Sequence, residues 1–212
     1  FYGPLLLGYL MRTHSHFWYI WRTGFLLNRE MEFRFLKKKK RKIVCFFVGD
    51  DIRSLKLTLA HANQLKRDSH ASYQYVSNPN ALSKKYDNEK KVVAKIADNY
   101  ADCIFSAAIE QKSYLKSRQH FLQIVYPKVN MHKQLAKFDN LARISILHAP
   151  SNPVIKGTPL VRAAIKKLEV EGYEFAYTEL MHVPNIKVLE HLQNTHIVLN
   201  QFYSFVPGLF GI

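Results

Sequence analysis

Cysteine is scarce in this sequence. Only Cys45 and Cys103 occur among 212 residues, and their spacing matches no pattern of zinc ligands, so a cysteine-based metal site is not expected. Each thiol falls inside an apolar run that is typical of a buried strand. We therefore expect two inert core thiols in a protein from a reducing compartment.

Long hydrophobic runs are also missing. The longest N-terminal run, Tyr2 to Met11, has about half of the ~20 residues that a membrane-spanning helix needs, and Arg12 ends it. The sequence contains no His-Glu-x-x-His pair and no Ser-centred nucleophile elbow. It also lacks the Gly-x-x-x-x-Gly-Lys loop of nucleotide-triphosphate sites and the Gly-x-Gly-x-x-Gly motif of dinucleotide sites. Most of the ten histidines are therefore interpreted as solvated or structural, and no metal is expected.

Acidic residues are few relative to basic ones. Asp and Glu total 16 against 31 Lys and Arg, which gives a net charge of +15. The excess peaks at residues 34–42, here called the basic run, where seven of nine side chains are cationic. A solvated helix end explains this run, and so does a surface that docks on an anionic membrane. No nucleic-acid-binding motif accompanies the charge, so nucleic acid is not an expected partner.

Short apolar strands alternate with helices along the chain. This alternation predicts an α/β fold with parallel sheets covered by helices. The polar stretch 128–140 divides the chain into a first domain at 1–127, a linker at 128–140 and a second domain at 141–212. Strands are predicted at Phe17–Trp21, Ile43–Val48, Cys103–Ala107, Ile124–Tyr126, Ile144–His148, Glu174–Thr178 and His196–Asn200.

Four residues are predicted to cap helix N-termini because their short polar side chains suit that position. They are Asn28, Asp87, Thr158 and Asn185. The helix that follows Thr158 is expected to stop at Gly172.

Three loops at predicted strand ends carry residues suited to binding chemistry, since ligands of open parallel sheets bind at that edge. In Gly49–Arg53, two carboxylates and a guanidinium could hold sugar hydroxyls or a phosphate, although a local Asp–Arg pair beside an Asp cap gives the same pattern. Ser151–Thr158 leads into a helix N-terminus, which attracts anions, and Lys156 adds a charge; a simple capped helix is the alternative. Met181–Asn185 could meet a nucleotide base or be an ordinary loop.

The order of several segments resembles a known family. They are Ile146–Asn152, Ile155–Thr158, Ala164, Leu168, His182–Asn185, His196–Phe202 and Gly208–Gly211. Together they resemble the donor domain of group 1 (family 4) glycosyltransferases, which have the GT-B fold. Gly49–Arg53 resembles that family's Gly-Ser-Asp-Ile-Arg loop, and the most specific part of the resemblance runs from Ile144 to Ile212.

The resemblance implies two Rossmann-like domains that close over a nucleotide-diphospho-sugar. It further implies a retaining, metal-independent transfer of the sugar to a polysaccharide or lipid-linked acceptor, with the nucleotide-sugar as donor substrate and no separate cofactor. The implied residues fall into three groups: Lys156, Ser151, Gly157 and Thr158 at the donor diphosphate; His182, Val183 and Asn185 on the nucleotide side; and Gly49, Asp51 and Arg53 on the acceptor side of the cleft.

The sequence also departs from that family. The first of two glutamates expected in the donor site aligns with Phe205 or Gly208, and Ala149–Ser151 stands where an arginine is usual. The acceptor domain's first strand and glycine loop have no counterpart, so both domains are expected to be truncated and the isolated chain inactive. A non-catalytic remnant that binds nucleotide-sugars or phosphate is the alternative. The expected location is the cytoplasm, where the basic charge allows peripheral contact with the inner face of the membrane.

Overall fold

The computed structural model describes residues 2–20, 23–107, 111–121, 138–139 and 143–204. The chain divides into two compact units: unit 1 comprises 1–67 and 80–123, and unit 2 comprises 68–79 and 124–212. Residues 68–79, which the sequence placed with the first domain, group with unit 2. The predicted strand Ile124–Tyr126, Gly208–Gly211 and all but two residues of the predicted linker lie outside the described residues.

The predicted α/β class with parallel sheets is confirmed. The described helices are α1 (Gly3–Thr13), α2 (Arg29–Lys38), α3 (Leu55–Gln64), α4 (Gln74–Ser77), α5 (Lys84–Tyr100), α6 (Pro153–Lys156), α7 (Thr158–Val170) and α8 (Asn185–Gln193). The strands are β1 (His16–Ile20), β2 (Lys42–Phe47), β3 (Cys103–Ser106), β4 (His120–Phe121), β5 (Ile144–His148), β6 (Phe175–Glu179) and β7 (Ile197–Leu199). Unit 1 contains a parallel sheet in the order β1-β2-β3-β4, and unit 2 contains one in the order β6-β5-β7.

The core of unit 1 lies on one face of its sheet. Along β1 the side chains alternate, with Phe17 and Tyr19 buried and their neighbours exposed, as the period of two in a strand requires. Helices α1, α2 and α5 contribute Leu7, Phe33 and Ala94 to this core. The opposite face carries a row of ring contacts that runs through Trp18, Phe46, Phe105 and His120.

The two cysteines fit the expectation of core thiols. Cys45 is buried within β2 and Cys103 is partly buried at the start of β3, and both are free. Burial raises the pKa of the Cys45 thiol to about 12. Because the thiolate is the nucleophilic form, this thiol is unreactive at neutral pH.

Two of the predicted N-caps are in unit 1, and one of them is correct. Asn28 caps α2, because its side-chain oxygen accepts a hydrogen bond from the Met31 amide at 3.0 Å. The prediction for Asp87 is wrong. Ser83 caps α5 instead, and the Asp87 carboxylate accepts hydrogen bonds from the hydroxyls of Ser54 and Tyr114 at 2.6 and 2.7 Å.

Both cap predictions in unit 2 are wrong. Gly157 occupies the N-cap position of α7 with φ of +78°, so Thr158 is already the first helical residue. Pro184 occupies the equivalent position of α8, so Asn185 also falls inside its helix. In each case the residue before the predicted cap makes the turn into the helix. The helix α7 ends near Gly172, which has φ of +84° as the left-handed end of a helix requires.

Among the residues that the structure describes, no helix has both the length and the hydrophobicity to cross a bilayer.

Candidate functional site

The sheet of unit 2 creates a crevice at the carboxyl ends of its strands. The chain runs from β5 through α6 and α7 to β6 on one side, and then through α8 to β7 on the other side of β5. The strand order therefore reverses at β5. Ligands of open parallel sheets bind outside the carboxyl ends of the strands where such a reversal occurs.

A cleft of about 310 Å³ lies at this point. The segments that follow β5, β6 and β7 all contribute to its walls. The lining residues are Ala149, Pro150, Ser151, Lys156, Leu180, His182, Val183, Asn185, Val188 and Asn200. The structure thus brings together Ser151 and Lys156 of one predicted loop with His182, Val183 and Asn185 of another.

Lys156 is the cationic side chain among the described residues that line the cleft. It is the last residue of α6, whose start is fixed by Asn152, since the Asn152 side-chain oxygen accepts a hydrogen bond from the Ile155 amide at 3.2 Å. The Lys156 ammonium donates a hydrogen bond to the side-chain oxygen of Gln201, which follows β7. This hydrogen bond therefore restrains the ammonium between the segments that follow β5 and β7.

Gly157 and Thr158 are not among the residues that line the cleft. A Cβ atom at Gly157 would lie 3.2 Å from the Phe202 Cβ and 3.3 Å from the Tyr203 ring, so the aromatic pair packs directly against the glycine backbone. Thr158 is buried, and its hydroxyl lies 2.9 Å from Nε2 of His148. The contact of Gly157 and Thr158 with a diphosphate stays a prediction. In the structure, these two residues hold α6 and α7 in place.

His148 joins three elements of unit 2. It is fully buried at the end of β5, and its Nδ1 lies 2.7 Å from the carbonyl oxygen of Leu199 in β7. A carbonyl oxygen only accepts, so Nδ1 carries the proton. When the ring is neutral, Nε2 accepts the hydrogen bond from the Thr158 hydroxyl of α7. The imidazole therefore acts as a structural bridge below the cleft.

His182 adopts a strained backbone conformation at the cleft. Its φ of +57° lies in the left-handed region, which costs a non-glycine residue roughly 1–2 kcal/mol. The segment is anchored just before it, where the Leu180 amide donates to the His148 carbonyl oxygen at 2.9 Å. The turn at His182 follows this anchor, and the His182 side chain is part of the cleft wall.

A segment distant in sequence, residues 68–79, supports the same cleft. The Tyr73 ring stacks on the Tyr203 ring with centroids 4.3 Å apart, and the His70 amide donates to the Tyr203 carbonyl oxygen at 2.8 Å. Both α4 and the 3-10 turn at His70–Ser72 contact α6. Sequence reasoning missed this support, because nothing in the local pattern links tyrosines that are so far apart in the chain.

One carboxylate lies near the cleft at the end of β6 but is already paired. Arg162 of α7 forms an ion pair with Glu179 at 2.6 Å, and Tyr177 donates a hydrogen bond to Glu179 at 2.8 Å. The Arg162 hydrogen bonds outweigh partial burial and lower the pKa of Glu179. Burial and the bond to this carboxylate raise the pKa of Tyr177. Glu179 is therefore a fixed anion that ties α7 to β6.

The first predicted loop lies in unit 1, after β2, and Asp51 is fully buried there. Its carboxylate accepts hydrogen bonds from the backbone amides of Val48, Gly49 and Ile52 at 2.9–3.1 Å. These bonds hold the loop in its turn. The prediction that Asp51 lines an acceptor cleft remains a prediction, and the observed contacts give this side chain a structural task.

Gly49 and Arg53 are held by further contacts in the same loop. The Gln111 side-chain amide donates to the Gly49 carbonyl oxygen at 3.0 Å, and the Arg53 guanidinium forms an ion pair with Asp50 at 3.0 Å. Lys90 is buried and donates to the Asp50 carbonyl oxygen. Of the alternative expected from sequence, the local Asp–Arg pair is therefore present, but the Asp cap is not, because the Ser54 side chain caps α3 by accepting a hydrogen bond from the Leu57 amide.

The described ranges contain no cluster of three or more His, Cys, Asp or Glu side chains that could hold a metal ion. No protein-family model matches the chain. No curated protein and no solved structure is significantly similar to it.

Proposed function

We propose that the cleft of unit 2 binds the diphosphate of a nucleotide-diphospho-sugar, and that the chain is part of a GT-B glycosyltransferase of the group 1 type. The observation that carries this proposal is the convergence of Ser151 and Lys156 with His182, Val183 and Asn185. The sequence assigned these two loops to different parts of one ligand, and both loops line the same cleft.

The chemistry of the cleft suits a nucleoside diphosphate. Lys156 supplies a positive charge, and Ser151, Asn185 and Asn200 supply polar groups. Apolar side chains such as Val183 provide a surface for a base. The volume of about 310 Å³ lies at the lower end of the ~300–1,000 Å³ of small-molecule sites.

In sugar transfer, negative charge develops on the departing nucleoside diphosphate. A cation that is already held in place stabilises this charge without reorganising during the reaction. The bond between Lys156 and Gln201 gives the ammonium this preorganisation. The proposal also assigns the Gly49–Arg53 loop of unit 1 to binding of the sugar acceptor. Asp50 is the more accessible carboxylate of this loop, because Asp51 is fully buried.

A binding role without catalysis is the second candidate. Among the described residues that line the cleft there is no carboxylate, and its polar groups are those of an anion-binding site. Such a lining favours a protein that holds a nucleotide-sugar or a phosphate. Because the isolated chain is expected to be inactive, absence of sugar transfer fits both candidates, whereas transfer of radiolabelled sugar from a nucleotide-sugar to an acceptor glycan would exclude the binding-only role.

Isothermal titration calorimetry tests the shared binding step. The chain is titrated with UDP, GDP, ADP and inorganic pyrophosphate at 0.15 M salt. At least one nucleoside diphosphate is expected to bind, and Lys156→Gln is expected to weaken it about tenfold or more, because a charged hydrogen bond contributes roughly 1.5–3 kcal/mol. Lys166→Gln removes an exposed lysine from α7 and serves as the matched control, with affinity expected to change less than about twofold.

Two results would overturn the proposal. One is the absence of binding by any of the three nucleotides at millimolar concentration. The other is equal affinity of the Lys156→Gln variant and the unmodified chain. Binding of single-stranded DNA that disappears steeply as salt rises, without competition from UDP, would instead indicate a basic nucleic-acid-binding module.

A further inference from the structure

Helix α1 is apolar on both of its faces. Leu7 is buried in the core of unit 1, where Leu10 and Met11 pack beside it. On the opposite face, exposed apolar residues recur at the helical spacing of three and four. They are Tyr2 (83% exposed), Leu5 (75%), Leu6 (47%) and Tyr9 (64%). An apolar stripe of this kind is typical of a helix that lies against another surface.

The basic run lies beside the C-terminal end of this helix. Strands β1 and β2 are parallel, so the chain enters both of them at the same edge of the sheet. The Arg41 guanidinium donates to the Met11 carbonyl oxygen at 2.5 Å, and the Lys42 amide donates to the Ser15 carbonyl oxygen at 2.9 Å. The C-terminal end of α1 and the end of the basic run are therefore in direct contact in unit 1.

Only part of the basic run is neutralised within the chain. Asp102 forms ion pairs with Lys37 and Lys42 at 3.0 and 3.1 Å. Lys38, Lys39 and Lys40 are exposed, and none of them has an acidic partner among the described residues. These three ammonium groups are therefore available to an anionic partner.

Apolar side chains also interrupt the cations on α2. Met31 and Phe35 are exposed, and with Arg34, Lys38 and Tyr100 they line a shallow groove between α2 and α5. Cations alternating with apolar side chains match the boundary of a bilayer, where headgroup phosphates lie next to acyl chains.

We propose that this surface, formed by the exposed face of α1 and the residues 31–42, docks on an anionic lipid bilayer. The apolar side chains of α1 enter the headgroup region, and Lys38, Lys39 and Lys40 contact anionic headgroups. A second copy of the chain is a poorer partner, because each copy carries a net charge of +15 and like charges repel across an interface. A nucleic acid is also a poorer partner, because contacts with its phosphates would not bury the exposed side chains of Leu5 and Leu6. The proposal is independent of the donor-site function.

Vesicle co-sedimentation tests it with the 212-residue chain at 0.15 M salt. Vesicles contain phosphatidylcholine alone or with about one third phosphatidylglycerol. The chain is expected to bind only the anionic vesicles strongly. A variant with Lys38→Gln, Lys39→Gln and Lys40→Gln is expected to lose about a hundredfold in partition coefficient, because each basic residue near the surface contributes about fivefold.

A matched control separates this surface from net charge. The variant with Lys84→Gln, Lys85→Gln and Lys166→Gln loses the same three charges at exposed sites elsewhere, and its partition coefficient is expected to fall by less than about threefold. A variant with Leu5→Gln and Leu6→Gln keeps every charge and is expected to lose about tenfold through lost apolar burial. Far-UV circular dichroism establishes that each variant remains folded.

Several outcomes would overturn the proposal. Equal binding to both kinds of vesicle would show that the basic run does not contribute to membrane binding. Equal losses of partition coefficient in the two triple variants would show that net charge, and not this surface, explains the binding. A dimer in analytical ultracentrifugation that dissociates when Leu5 and Leu6 are replaced would assign the apolar face to a second copy. Stronger binding of duplex DNA than of vesicles, unchanged by the Leu5 and Leu6 substitutions, would assign the surface to nucleic acid.

Discussion

Replacement of Gly157 by alanine tests the support of the cleft most directly. Gly157 joins α6, which carries Lys156, to α7, and it does so with a φ of +78°. A side chain at this position meets two separate penalties. The left-handed backbone is unfavourable for alanine, and the new methyl group would lie 3.2–3.3 Å from Phe202 and Tyr203.

The two penalties have different sizes. The left-handed conformation costs an L-residue roughly 1–2 kcal/mol, and forcing a methyl group into a packed site costs about 1–3 kcal/mol more. Tyr203 has little freedom to move away, because the Tyr73 ring stacks on it at 4.3 Å. We therefore expect Gly157→Ala to lower the free energy of unfolding of unit 2 by about 2–5 kcal/mol.

Gly172→Ala is the matched control. Gly172 has a φ of +84°, but a Cβ atom there would have no neighbouring atom within 4 Å. This substitution therefore carries the backbone penalty alone, about 1–2 kcal/mol. Urea unfolding followed by circular dichroism measures both variants, and hydrogen exchange of peptides from α7 and β5 localises the loss. Equal destabilisation by the two substitutions would refute the packing of Phe202 and Tyr203 against Gly157.

Two further substitutions address single hydrogen-bonded groups. Thr158→Val removes the hydroxyl that pairs with His148 Nε2, and it is expected to cost about 1–2 kcal/mol in urea unfolding, whereas Thr158→Ser should retain most of the stability. Asp102→Asn is expected to change the pH dependence of unfolding. Burial raises the pKa of Asp102, but hydrogen bonds from the Ile43 amide, Lys37 and Lys42 outweigh it and hold the pKa below the usual ~3.9. The carboxylate therefore stabilises the fold above about pH 4, and this contribution declines as pH falls through the lowered pKa, so the unmodified chain should exceed the variant by about 1 kcal/mol at pH 7 and by progressively less as the pH falls below about 4. A difference in unfolding free energy that does not shrink below about pH 4 would contradict this account.

The strands were the most predictable part of the fold. Strands β2 and β5 could be placed within one residue. The signal is clearest in β2, where Ile43 begins a continuous apolar run, because burial inside a parallel sheet leaves little room for polar side chains. Helix starts were less predictable wherever two capping residues compete. Ser83 and Asp87 both suit an N-cap, and only the tertiary bonds from Ser54 and Tyr114 to Asp87 decide between them.

The convergence of the two loops on one cleft followed from topology, but the direction of individual side chains did not. The position of loops at strand ends is a global property that the alternation of strands and helices predicts for a parallel sheet. Whether Asp51 faces a ligand or its own backbone depends on a few dihedral angles in one turn. Three amides converge on its carboxylate in this fold, and a pattern of residue types gives no sign of that.

The segment 68–79 shows why the cleft of unit 2 is not built from one continuous stretch of sequence. The Lys156 ammonium is hydrogen-bonded to Gln201, and Gly157 packs against Phe202 and Tyr203. Tyr203 is in turn held by contacts from His70 and Tyr73. Each link in this chain of contacts is local in space and remote in sequence. We therefore expect a substitution at Tyr73 to weaken nucleoside diphosphate binding at Lys156 without touching the cleft, because the placement of that charge is a property of both segments of unit 2 together.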